Sequence, residues 1–263
     1  MGNYEKFPKT KVKGYQNTAI LGYDAILEEL SKENIHVLVV DTYPGVKEEE
    51  VLFQFKRLQP ALIIDMKHIF KEEEKLTEQL KYHLTDDRVF GKMYYGDVMD
   101  FIDEEKLKES RRMLEQQEGL VLVYGFGASL VTKGDTLIYL DLARWEIQLR
   151  YRNGMANYQC SNFEEDILQK YKRAFFIEWR VADKHKIRIF DEIDYFIDTN
   201  VAEEPKMIRG EALREGLKQL TAQPFRTVPY FDPGVWGGQW MKEVCDLDRS
   251  KENFAWSFDG VPE

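Results

Sequence analysis

Short apolar runs alternate along the chain with longer stretches in which apolar positions recur every three or four residues. HVLVV closes on Asp41, ALII on Asp65, LVLVY on Gly125, LIYL on Asp141 and DYFI on Asp198. Runs this short, apolar throughout, fit strands buried on both faces. The pattern predicts a mainly parallel sheet containing His36–Val40, Ala61–Ile64, Leu120–Tyr124 and Thr136–Leu140, with helices on both faces, an α/β fold. The helical stretches are residues 18–30, most of Lys71–Gln117, LARWEIQLRYR after Asp141, a segment to Lys172 opened by the capping-box string Ser161-Asn162-Phe163-Glu164, and Gly210–Leu220. AFFIEWRVA and KIRIFDEIDYFID read as two extended segments around the polar turn Asp183–Lys186, and so as a hairpin.

Ligands of such sheets lie beyond the carboxyl ends of the strands. Three acids gather there, Asp41, Asp65 and Asp141, which would face magnesium; each also suits the simpler role of capping the next helix. Between Asp41 and the next helix runs DTYPGVKEEE, where a phosphate-binding loop would sit. It lacks the GxxxxGK[ST] pattern: it has a single glycine, and Lys47 precedes Glu48 rather than Ser or Thr. The Gly91-Lys92 pair follows no clear strand. If phosphate binds at all, the backbone of Tyr43, Gly45 and Val46 would meet it from one side and Arg144, Arg150 and Arg152 from the other. Those arginines fit a solvated helix face equally well. No metal set emerges from the residue spacing. Asp86, Asp87, Asp97, Asp100 and Asp103 have no calcium-loop order, and His36, His68, His83 and His185 have no zinc spacing. The catalytic residues stay unassigned.

Composition narrows the partners. A formal charge of -10 disfavours nucleic acid, whose phosphates call for a basic surface. An apolar fraction of 43% over 263 residues is ample for a packed core. No apolar run reaches the roughly 18 residues of a membrane span. The opening MGNYEKFPKTKVKG has no apolar signal region, and Cys160 and Cys245 form no disulfide framework, so the expected setting is the cytoplasm. The expected partner is a small molecule, a sugar phosphate or a nucleotide.

Two resemblances follow from these residues. The order of strand, degenerate loop, acid-tipped strands, LVLVYGFGAS and LIYLDLARWEIQLRYR resembles the later part of a P-loop nucleoside-kinase-like domain over about residues 30–200. Beyond Thr221–Arg226 the composition turns rich in Pro, Gly and Trp, which places a boundary between a domain at 1–222 and a second segment at 223–263. There, Trp236-Gly237-Gly238, then Trp240, Met241 and Trp256, resemble the opening of class I mannose-6-phosphate isomerases, a WGG turn followed by a Trp-bearing strand that begins a cupin barrel. Asn253, Phe254 and Ala255 stand where that family has an acid, and its metal-binding Gln/His/Glu segments are not among these residues. The resemblance therefore implies the amino-terminal part of an isomerase-like protein, inactive alone, with zinc belonging to a downstream cupin. The alternatives are a small-molecule kinase, with Asp41 or Asp65 as base or magnesium ligand, and a non-catalytic module that binds a nucleotide or sugar phosphate.

Overall fold

The computed structural model describes residues 11–223, 225–230, 246 and 257–262. The chain divides into two compact units, Asn17–Glu211 and Met1–Gln16 with Ala212–Glu263. The larger unit is built on a seven-stranded sheet. Its strands are β1 (Ile20–Leu21), β2 (Val37–Thr42), β3 (Leu62–Asp65), β4 (Val121–Gly125), β5 (Thr136–Asp141), β6 (Tyr195–Asp198) and β7 (Lys206–Arg209). They lie in the order β1-β7-β6-β5-β2-β4-β3. β3, β4, β2, β5 and β6 run parallel, while β7 pairs antiparallel with β6 and with β1. The four runs read as strands from their apolar character all pair in this one sheet, and DYFI adds a fifth parallel strand. Every residue of β2 and β4 is buried, which is why these runs carry no polar alternation.

The connections are helical: α1 (Tyr23–Ser31), α2 (Glu48–Phe55), α3 (Glu73–Leu84), α4 (Glu104–Glu115), α5 (Arg144–Arg152), α6 (Ile167–Arg173) and α7 (Trp179–Ile189). Three sequence expectations are corrected. The helix expected over 18–30 starts at Tyr23, because Ile20 and Leu21 pair with Met207 and Lys206. The helix expected from Ser161 starts at Ile167, capped by Asp166, whose carboxylate accepts from Leu168 N at 2.8 Å. The side chain of Asn162 is instead turned onto Asn157 and Glu165. The hairpin is absent: Ala174–Glu178 forms a π-turn that runs directly into α7. Ile177, Trp179 and Val181 alternate like a strand. Apart from Trp179, the buried residues Ala174, Ile177, Glu178, Val181, Ala182 and His185 repeat every three to four positions, and that period won.

The second unit holds most of α8 (Gly210–Thr221) and the antiparallel pair β8 (Phe225–Tyr230) and β9 (Ser257–Pro262), in register from Phe225↔Pro262 to Tyr230↔Ser257. Within it, the Gln219 side chain accepts from Lys13 N at 2.8 Å and donates to Lys13 O at 3.1 Å. Trp236, Gly237, Gly238 and Trp256, and with them the cupin expectation, lie outside the described residues. Among the described residues, no helix is long and apolar enough to cross a membrane.

At the amino ends of the strands, Asp135 accepts from both His36 N and Val37 N at 2.8 Å, which fixes how β5 starts beside β2. Asp135→Ala should cost about 1–2 kcal/mol, the range for charge-assisted bonds at a partly solvated site. Urea unfolding checks this, and an unchanged midpoint would mean that backbone pairing alone sets the register.

Candidate functional site

The candidate site lies at the carboxyl ends of the parallel strands. Asp41, the fifth residue of β2, is fully buried. Its Oδ1 accepts from Gly127 N at 2.9 Å. Its Oδ2 accepts from Ser129 N at 3.0 Å and Ser129 Oγ at 2.7 Å, and lies 2.8 Å from His185 Nε2. The donors come from the loop after β4 and from α7. That loop can turn back over β2 because Gly125 takes φ +115, a backbone shape costly to any residue with a side chain. Burial alone would push the Asp41 carboxyl up, but His185 and the Ser129 bonds outweigh it and hold it below the usual carboxylate range. Burial likewise acts to lower His185, and the Asp41 carboxylate beside it, aided by Asp97 and opposed by Arg188, raises it above the ordinary histidine value.

α7 covers these strand ends with successive polar side chains. Asp183 accepts from Tyr43 Oη at 2.9 Å and pairs with Arg144. His185 meets Asp41, and Lys186 Nζ donates to Asp141 Oδ2 at 2.8 Å. From the same helix, Lys184 and Arg188 hold Asp97. Two of the three acids expected to face magnesium thus face cations of the protein itself. The third, Asp65, accepts from Lys67 N at 2.9 Å and caps the turn Met66–His68. Among the described residues, no three His, Cys, Asp or Glu side chains are grouped to hold a metal.

The expected phosphate ligands are placed as follows. Tyr43 and Val46 are buried, Tyr43 N donates to Leu140 O and Val46 N to Tyr43 O, so both amides are used within the fold. Gly45, at φ +112, lies so close to α5 that an added Cβ would stand 2.8 Å from Ile147 Cγ1. Arg150 is 5% exposed and donates to Gly45 O at 2.8 Å, Thr199 O at 2.6 Å and Glu146 Oε1 at 2.9 Å. Its guanidinium fork is filled by the chain itself. Arg144, bound to Asp183, lies over the Trp179 ring, and the exposed Arg152 lies over Trp145 and Tyr171.

Beside this closed crevice, beyond β2 and β3, is an open cleft of about 710 Å³. Its lining includes the start of α2, Lys67, Phe70 and the segment from Met155 to Ser161. At its edge Glu48 pairs with Lys67 at 3.1 Å and accepts from Thr42 Oγ1 at 3.2 Å. Burial raises the Glu48 carboxyl against the pull of Lys67, and Glu48 holds the proton on Lys67 more firmly than burial loosens it. Cys160, also in the lining, has a thiol pushed up to about 12 by burial, so it is no thiolate nucleophile near neutral pH. Sequence reasoning missed Glu48, Lys67 and His185. The string Asp183–Lys186 held the one available signal, acid and base side by side, and was read as a turn.

These features define an α/β domain with a mainly parallel sheet, a self-occupied crevice at its strand ends and an open cleft next to it. Residues 22–222 match the family described as a domain of unknown function (DUF8485), and the chain belongs to that family. No curated protein matches the chain. Among solved structures it is similar to shikimate kinase from Bacteroides thetaiotaomicron, at 14% identity and a TM-score of 0.40, over 72% of this chain and 98% of that one.

Two predictions follow from the geometry. Arg150→Ala should destabilise the fold by about 2–4 kcal/mol, because two carbonyls and Glu146 lose a buried donor, whereas Arg152→Ala should stay within about 0.5 kcal/mol. Urea titration of both variants decides, and equal losses would contradict the assignment of Arg150 to the core. The Asp41–His185 pair also has a pH signature. His185 is raised, so its contribution is full below the unfolded value of about 6.5 and fades as pH rises through the folded value. Asp41 is lowered, so its contribution is full above about 3.9 and fades as pH falls through its folded value. Wild-type stability should therefore decline from mildly acidic pH toward pH 9 more steeply than that of His185→Gln, as read from urea midpoints across that range.

Proposed function

We propose that this domain is a small-molecule binding module of kinase-like architecture that does not transfer phosphoryl groups, with its ligand taking the cleft beyond β2 and β3. The observation that carries this reading is a contrast between neighbouring spaces. The crevice where phosphoryl transfer would occur is packed with Ile147, Arg150, Asp183 and His185, while the adjoining cleft of about 710 Å³ is open. That volume falls in the range of pockets for small organic ligands, about 300–1,000 Å³. Phosphoryl transfer needs a phosphate cradle, a metal and a positioned base. The absence of a GxxxxGK[ST] loop counts against the first, and the engagement of Asp41 and Asp141 by His185 and Lys186 counts against the second.

A second reading is favoured by one motif. Trp236-Gly237-Gly238 with Trp256 supports the amino-terminal part of a class I mannose-6-phosphate isomerase-like protein, with aldose–ketose isomerisation and its zinc belonging to cupin residues outside this sequence. The two readings are compatible, since a binding module can precede an isomerase.

The purified chain should turn over neither ATP with magnesium nor mannose 6-phosphate with zinc. Magnesium-dependent phosphoryl transfer lost in Asp41→Asn would overturn the first reading, and zinc-dependent isomerase turnover would overturn the placement of the isomerase site outside these residues. Calorimetric titration with mannose, mannose 6-phosphate and ATP, with and without magnesium, locates the ligand. Mannose binding that is abolished by Ala156→Trp, which intrudes into the cleft, is the expected result. Binding that survives Ala156→Trp but is lost in Arg144→Ala would return the ligand to the strand-end crevice.

A further inference from the structure

We propose that Glu48 is a built-in anion that occupies the Lys67 ammonium and so sets the cleft against phosphate-bearing ligands; this rests on the cleft being the ligand site. A phosphate at a helix N-terminus after a strand recruits the helix's first turn, a lysine ammonium and a nearby hydroxyl. A lysine and a hydroxyl are likewise assembled beside a helix start here. Glu48 is the first residue of α2, the eight-residue helix that follows β2, and that helix has no side-chain cap. Lys67, from the turn after β3, supplies the ammonium at 3.1 Å, and Thr42, the last residue of β2, supplies the hydroxyl at 3.2 Å. What they hold is the carboxylate of the helix itself. The Glu48 side chain is 9% exposed, so the charge is seated in the wall of the cleft rather than waving over it.

The other charges of the cleft point the same way. Its lining carries Glu48, Glu49, Glu50, Glu72 and Glu73 against Lys47, Lys67 and Lys71. Lys67 is committed to Glu48, and Lys71 to Gln79 Oε1 and Asp100 O. A phosphate dianion entering this cleft would meet an excess of carboxylates and would have to displace one of them from its ammonium. Uncharged ligands meet no such barrier.

The test uses inorganic phosphate as the probe, with sulfate as a second oxyanion, at constant ionic strength. Thermal unfolding of the wild type should not respond specifically to phosphate. Glu48→Gln keeps the side-chain shape and the acceptor for Thr42 but leaves Lys67 without its anion. It should gain phosphate affinity of at least ~10-fold, seen as a phosphate-dependent rise in Tm. Glu48→Gln/Lys67→Met should lose that gain, because the ammonium is gone. A phosphate response in the wild type that Lys67→Met removes would overturn the proposal without recourse to the Glu48 variant. A folded Glu48→Gln that gains nothing would overturn it as well. Neither result touches the absence of phosphoryl transfer, which the ATP assay decides separately.

Discussion

A carboxylate taken fully out of water costs several kcal/mol unless charge and hydrogen bonds replace its hydration. Asp41 is such a group, and the larger unit is arranged around satisfying it. Gly127 and Ser129 donate from the loop after β4, and His185 approaches from α7. Replacing any of these donors would leave a buried charge under-served. The Asp41 site therefore ties the central strand, the neighbouring strand's loop and a distant helix into one arrangement.

With α7 held there, the rest of the strand-end chemistry is settled. Asp183 reaches Tyr43 and Arg144, and Lys186 reaches Asp141, so the charged groups at these strand ends are paired with side chains of the chain itself. Arg150 closes the same region from α5 by binding the carbonyls of Gly45 and Thr199. The open space lies toward β3, in a cleft whose wall carries the Glu48–Lys67 pair. The proposed reading, small-molecule binding without phosphoryl transfer, rests on this contrast between a filled crevice and an open cleft.

Much of the sheet was legible because its strands are buried on both faces, so their apolar runs stand out without any need for alternation. The Asp and Gly endings correctly marked the strand ends where the polar cluster forms. The segment from Ala174 to Ile189 was misread because its aromatic and branched residues imitate a strand over a short window, while the helical period emerges over twelve positions. His185 escaped because its partner lies 144 positions away, a pairing that no local pattern encodes. Glu48 escaped because a carboxylate in a helix's first turn is ordinary in sequence. Its role comes from Lys67, brought alongside by β3.

The most direct measurement is amide hydrogen exchange of residues 41–43, 125–130 and 179–189 with and without saturating ATP and magnesium. A crevice filled by the protein's own side chains predicts no change in protection across these three segments. Magnesium-ATP that protects Tyr43 or residues 125–130, or that speeds exchange along α7 as the helix lifts from Asp41, would contradict it.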